Sequence, residues 1–421
     1  MPYAETSEDF MADTTQTIPA DQLGFSQDRL NRLPEYFQPY LDANRLPCLA
    51  MLVSRHGEVA HLSFQGQQKM GEGAPIGMDT IYRIYSMTKP ITSVAAMMLF
   101  EEGKLRLEHE VSRYLPEFAD VKVLAGGTAD APQLKDPERP MTVHDCLTHM
   151  SGVTYGFLQQ TEVDAMYRAA KIGAPHESLR DMVRRIAGLP LVFSPGSSWN
   201  YGHSTDIVGA IIEVVSGQSL DVFFRERIFG PLGMIDTDFF VPENKLHRLA
   251  GCYAKVEGQN DAVLYDDAGS ASKLYTKQPP LLNAGGGLVS TLSDYHQFCC
   301  MLLNGGSLNG HQLLSPKTVD YMTLNHLPGN KTISEMGDKT FSEARMEGNG
   351  FGLLGSVTVD TIELRQPSSL GNFAWGGLAS TYFWIDPEEE IIGIQMTQLM
   401  PSSTYPIRPQ FQQLVYASIT D

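Results

Sequence analysis

The chain has 421 residues, 42% of them hydrophobic and 19% charged. That is the make-up of a folded globular protein with room for two lobes, and it excludes a disordered or low-complexity chain. A formal net charge of -18 without a dense Lys/Arg cluster sets nucleic acid and anionic membrane surfaces aside as partners.

Residues 1–24 carry no basic n-region and no apolar h-region, and are expected to form a poorly ordered tail. No stretch offers about 20 uninterrupted apolar residues, so no membrane partner is expected and the location is expected to be cytoplasmic. Five scattered cysteines without a CxxC pair suggest neither a disulfide framework nor a zinc site. "SQDRLNRLPEYFQPYLDANRLP" predicts a helix capped by Ser26 and interrupted at Pro34 and Pro39. Two apolar runs joined at Arg55, His56 and Gly57 predict an antiparallel hairpin. From about 104 to 284 helical segments dominate, linked by long loops such as "GGTADAPQLKDPERP". Strand-like pieces return at "GFGLLGSVTV", "STYFWID" and "EIIGIQMTQ", before a helix from about 405. The predicted fold class is therefore α/β (α+β). A tail over 1–24 precedes a sheet-and-helix domain built from 25–105 and 285–421, with a helical domain over 106–284 inserted in it.

The stretch most suggestive of chemistry is "IYRIYSMTKPITSVAAMMLF", residues 81–100. Proline is tolerated in the first turn of a helix, so Pro90 predicts a helix starting at about Ser86. Residues three apart share a helical face, which brings Lys89 beside the Ser86 hydroxyl while Thr88 points elsewhere. "SASK" at Ser270–Lys273 matches the same pattern but has no apolar helix behind it. In "FSPGSSWNYGHSTDIVG", Tyr201 lies on a loop just before a capped apolar helix. Its phenol would act as a base if a nearby charge such as Lys89 favoured the phenolate. In "GNFAWGGLASTYFWIDP", Gly376 and Gly377 let backbone approach a ligand, and the Leu378 N–H could join that of Ser86 in holding an oxyanion. On residue type alone a helix cap at Ser86, a Tyr–Trp packing pair and a plain turn before an edge strand account for the same residues.

Taken in this order, the three pieces resemble the serine β-lactamase and penicillin-binding-protein superfamily, in the branch of class C β-lactamases and family VIII carboxylesterases. "VSRYLPEF", "MTVHDCLTHMSGV", "SPGSSWNYG" and "AGGGLVSTLSDYHQF" extend the resemblance over about residues 25–418. It implies a β-lactamase/transpeptidase-like fold, an antiparallel sheet with flanking helices beside a helical lobe. It also implies Ser86 as nucleophile, Lys89 as its proton partner, Tyr201 as general base and acid, and the Ser86 and Leu378 N–H groups as the oxyanion hole. Two departures bear on substrate. Class C enzymes carry Tyr-x-Asn where this chain has His203 in third place, and Lys-Thr-Gly where it has Trp375, Gly376 and Gly377. An aromatic in place of a cation suits a small neutral ester, with Trp375, Gly376, Gly377 and His203 expected against the substrate.

The expectation is a serine carboxylesterase working through an acyl-enzyme, with weak β-lactam hydrolysis as an accompaniment and no cofactor or metal. Alternatives are an acyltransferase or a class C-type β-lactamase of the same fold. A non-catalytic penicillin-recognising protein would be expected to lack one of Ser86, Lys89 and Tyr201, and all are present. "SDY" at 293–295 reads as a helix cap, no Gly-x-Ser-x-Gly elbow occurs, and His144 and His149 match no zinc template. "AGGGL" lacks the strand–glycine–helix context of a dinucleotide site, and "PEEE" at 387–390 reads as a solvated turn.

Overall fold

Strand β1 (Cys48–Arg55) is buried along its whole length, and its side chains divide by parity. Cys48, Ala50 and Leu52 enter one apolar core while Leu49, Met51 and Val53 enter another. Because side chains alternate along a strand, this pattern marks a strand covered on both faces. The computed structural model describes residues 16–270, 275–337 and 341–421, so the Lys273 end of the second Ser-x-x-Lys copy lies outside the described residues.

The other strands of the main sheet are β2 (Glu58–Lys69), β3 (Glu72–Pro75), β4 (Asn349–Phe351), β5 (Ser356–Thr358), β6 (Phe373–Gly376), β7 (Tyr382–Asp386) and β8 (Ile391–Met396). They run in the order β4-β5-β6-β7-β8-β1-β2-β3, and each neighbouring pair is antiparallel. The two ends of the chain therefore meet at the β8–β1 pairing, as the α/β expectation required. The β1–β2 hairpin turns at His56 and Gly57. Gly393 stands opposite Trp384, and a Cβ there would overlap the indole, so glycine lets the ring lie across the strand.

Five helices cover the sheet or support the cleft beside it: α1 (Arg32–Asp42), α2 (Thr88–Glu101), α3 (Ser204–Ser216), α4 (Leu292–Leu303) and α5 (Ile407–Tyr416). Phe37 of α1 and Phe411 and Val415 of α5 share a core with Leu49, Met51 and Trp384 on one face of the sheet. Tyr295 and Phe298 of α4 and the apolar side of α2 share the other with Leu52, Phe383 and Ile394. That second core runs on without a break into the helical lobe, through Val143, Val183, Ile207 and Phe223.

Three local features differ from the sequence expectation. Ala20–Leu23 form a 3-10 turn whose Ala20 and Leu23 are buried, so packed chain begins before residue 24; residues 1–15 of the expected tail lie outside the described residues. The first helix is split at Asn31, with Gln27–Leu30 capped by Ser26 ahead of α1, and α1 accommodates Pro39 inside it. The expected loop "GGTADAPQLKDPERP" instead holds most of a hairpin in which Val123–Thr128 pairs with Ala131–Lys135.

Candidate active site

Ser86 sits in a 3-10 turn, Tyr85–Met87, that leads into α2 at Thr88, two residues later than the predicted helix start. Tyr85 before it has φ 43°, a left-handed conformation that costs a non-glycine residue about 1–2 kcal/mol. That kink sets the hydroxyl at the helix tip facing the cleft between the lobes, where Ser86 forms part of the floor. One turn on, the Lys89 ammonium donates to Ser86 Oγ at 3.3 Å, to the Tyr155 hydroxyl at 3.1 Å and to the Gly285 carbonyl at 2.6 Å. An ammonium has three donors, and these contacts use all of them. Thr88 does point elsewhere, accepting from the Leu288 N–H at 3.1 Å.

Gly285 is held through its preceding peptide as well: its N–H donates to Asp206 Oδ1 at 3.0 Å, and Asp206 Oδ2 pairs with His203 Nδ1 at 2.8 Å. "AGGGL" is thus the strip of backbone that passes Lys89, and glycine at 285 keeps the strip close to Asp206, Tyr155 and Lys89.

Tyr201 is positioned by two loops that zip together. The Gly196 N–H donates to Met150 O at 2.8 Å, Asn200 N–H to His149 O at 3.0 Å and His203 N–H to Thr154 O at 3.4 Å. Gly202 permits this approach, since a Cβ there would overlap the Val153 carbonyl. The "LTHMSGV" phrase is therefore the scaffold of the Tyr201 loop, and the His149 ring lies 4.8 Å from that of Tyr201. Lys89 Nζ stands 4.5 Å from the Tyr201 ring centroid, and Trp375 Nε1 donates to the Tyr201 oxygen at 3.3 Å.

Electrostatics set the protonation states. Burial pushes Lys89 down to about 8 against the opposing pull of Asp206 and Glu343. Burial, with Glu343 adding to it, lifts the Tyr201 phenol well above its usual range, while Ser86, Trp375 and the Arg408 charge pull the other way. Desolvation thus works against the charged form of both groups, leaving Lys89 an ammonium below about pH 8 and Tyr201 a neutral phenol. This departs from the expected phenolate held by Lys89.

On the facing wall, β6 ends in Gly376, and a Cβ on Gly377 would overlap the carbonyl of Ile84, two residues before Ser86. Glycine here brings the sheet edge against the Ser86 turn, and Leu378 reaches the cleft. The cavity between these walls measures about 300 Å³. Tyr155, Phe157 and Phe341 line one side, and Tyr85, Phe239 and Tyr275 also face it. Among the described lining residues Glu343 is the one charged side chain, and it is paired with Arg408. Trp375 is fully buried behind Tyr201, and His203 lies behind Tyr155, their rings 4.4 Å apart; neither is among the lining residues. Sequence reasoning missed Tyr155 and Gly285, which meet Lys89 through tertiary packing alone, and Asp206, which holds the Gly285 N–H.

Among the described residues no group of three or more His, Cys, Asp or Glu could hold a metal ion. No single helix among them is long and apolar enough to cross a membrane. A serine at a helix tip, a buried lysine one turn on and a phenol on the facing loop, set between an antiparallel sheet and a helical lobe, are the marks of a serine acyl-transfer enzyme of β-lactamase/transpeptidase-like fold. The chain belongs to the beta-lactamase family, whose model matches residues 33–417. It is 33% identical to Mycobacterium tuberculosis protein Rv1367c, over 86% of this chain and 88% of that protein. It is 30% identical to the esterase EstB of Burkholderia gladioli, over 87% and 90% of the two chains. The solved structure of EstCE1, described as a hydrolase with promiscuous acyltransferase activity, superposes with a TM-score of 0.76 at 25% identity, covering 92% of this chain and 99% of that one. The resemblance to family VIII carboxylesterases is thereby borne out.

Proposed function

We propose that the protein is a carboxylesterase that cleaves small neutral esters through an acyl-enzyme on Ser86. The observation that carries this reading is the Ser86–Lys89 contact of 3.3 Å at the floor of an aromatic cleft in which, among the described lining residues, the one charged side chain is already paired. Neutral Lys89 takes the Ser86 proton as Oγ attacks the ester carbonyl, and the oxyanion rests on the Ser86 and Leu378 N–H groups. The Tyr201 hydroxyl then protonates the departing alkoxide and is reprotonated from Lys89. Water enters, gives up a proton along the same route and releases the acid. Among the described lining residues a β-lactam's carboxylate would meet no cation, which supports ester over lactam.

A second reading, acyl transfer to an alcohol, is supported by the aromatic walls, which would hold an organic acceptor in place of water. A cytoplasmic site of action is also part of the proposal, supported by five buried free thiols, which suit a reducing compartment.

The test is the hydrolysis rate of p-nitrophenyl acetate and butyrate beside a chromogenic cephalosporin, for wild type, Ser86→Ala and Tyr201→Phe. Ester turnover that is lost in the first variant, reduced about 100-fold or more in the second, and accompanied by little cephalosporin cleavage is expected. Cephalosporin turnover equal to ester turnover would overturn the esterase reading, and product formed faster with added alcohol would favour the transferase.

A further inference from the structure

Arg408 lies in the first turn of α5, far from Ser86 in sequence, yet it is almost wholly buried against the end of β6. Its Nη2 donates to the Gly377 carbonyl at 2.6 Å and to the Thr381 carbonyl at 2.9 Å. Its Nη1 donates to the Glu343 carbonyl at 2.7 Å and to Glu343 Oε2 at 2.8 Å. A Cβ on Gly376 would overlap the guanidinium, so glycine at 376 is what admits it.

The Gly377 carbonyl and the Leu378 N–H are two ends of one peptide unit. A trans peptide is planar, with its C=O and N–H pointing in opposite directions. Gripping the oxygen therefore fixes where the N–H points. The same turn is closed by Gly377 N–H donating to Thr381 O and Ser380 N–H donating to Gly377 O, both at 2.9 Å. A positive charge on the carbonyl also polarises the peptide, which strengthens its N–H as a donor. Glu343 holds the guanidinium through both its backbone and its carboxylate, and so sets the plane of the fork.

We infer that Arg408, braced by Glu343, is the positioning residue of the oxyanion hole: it orients and polarises the Leu378 N–H from the far side of its peptide. The inference rests on the esterase reading and on the oxyanion role of Leu378 within it. It also assigns the paired glycines separate tasks, Gly377 for contact with the Ser86 turn and Gly376 for the guanidinium.

The experiment compares wild type, Arg408→Lys, Arg408→Gln and Gly376→Ala in kcat and KM for p-nitrophenyl butyrate and in affinity for an arylboronic acid, whose tetrahedral adduct on serine resembles the transition state. Melting curves establish that each variant is folded. A misaligned oxyanion donor is expected to lower kcat about 10- to 100-fold with KM within about twofold, and to weaken the boronic acid by a similar factor. Lysine should not rescue, because one ammonium cannot reproduce the planar fork that spans both carbonyls and Glu343. Gly376→Ala keeps every charge and displaces only the guanidinium, so it should show the same loss even where the arginine variants fail to fold. Folded variants with wild-type kcat and boronic acid affinity would overturn the inference. A wild type without ester turnover would instead overturn the functional reading on which it rests.

Discussion

Trp375 can serve a reaction either by touching the substrate or by holding a group that does, and the two roles leave different kinetic traces. Its indole is fully buried and its Nε1–H donates to the Tyr201 oxygen, a contact that favours the phenolate side of Tyr201's titration. Trp375→Phe keeps most of the ring packing and removes that one donor. The expected result is a fall in kcat of about tenfold with KM nearly unchanged, in line with one hydrogen bond of about 1–1.5 kcal/mol. A change mainly in KM would return Trp375 to the substrate-contacting role that its place in the sequence suggests. Lys89 permits a second test at this scale. Burial brings it down to about 8, and the proposed attack needs the amine neutral. The rate should therefore rise with pH, about tenfold per unit below pH 8, and level off above it. A kcat/KM profile for a p-nitrophenyl ester that is flat from pH 6 to 9 would remove Lys89 as the acceptor of the Ser86 proton.

Helix α3 and the 284–288 strip show how an element far from Ser86 sets its surroundings. Gly209 lies mid-helix, where glycine costs about 1 kcal/mol relative to alanine, so an isolated helix would be stabilised by Gly209→Ala. In the folded protein that new Cβ would overlap the Cβ of Ala284, directly before the Gly285 carbonyl that accepts from Lys89. Overpacking of a fixed contact costs about 1–3 kcal/mol, enough to outweigh the propensity gain. Gly209→Ala should thus lower the melting temperature by a few degrees and lower kcat as Lys89 loses its anchor. A higher melting temperature with full activity would show that the helix can shift away freely. Parts of this arrangement are legible in sequence and parts are not. Pro90 announces the helix start, and spacing alone brings Lys89 to Ser86. The loop "SPGSSWNYG" announces a fixed Tyr201, because turn residues precede a capped apolar helix. No local rule links Gly285 or Tyr155 to Lys89, since those contacts span 196 and 66 residues. Arg408 reads in sequence as an ordinary helical arginine beside a proline, because three of its four partners are carbonyls, which carry no sequence signature, and the fourth, the Glu343 carboxylate, is 65 residues away.

Across the whole molecule, the interleaving of both chain ends was legible because strand-like runs flank a helical middle, whereas the single core shared by both lobes was not, because patterning reports faces and not what covers them. The fold also buries several histidines, and they make it sensitive to acid. Burial brings His61, His144 and His296 each down to about 4 from an ordinary 6.5, with the neighbouring His326 adding to the effect at His144. A histidine whose folded pKa is depressed stays neutral in the fold while the unfolded chain takes up a proton. Stability from each is therefore complete above about pH 6.5 and is lost as pH falls toward 4. Between pH 7 and pH 5 each such group accounts for about 2 kcal/mol. Asp294, raised by burial to about 6, acts in the opposite sense over the same window, so the net loss is smaller than three histidines alone would give. His296 is the cleanest probe: it is wholly buried, with Nε2 2.9 Å from Ser54 Oγ and 3.5 Å from Cys300 Sγ. Urea denaturation of His296→Gln should show a lower stability at pH 7 but a loss between pH 7 and pH 5 about 2 kcal/mol smaller than that of wild type. An unchanged loss would mean that His296 keeps an ordinary affinity for protons in the fold, and the acid sensitivity would then belong to the remaining groups.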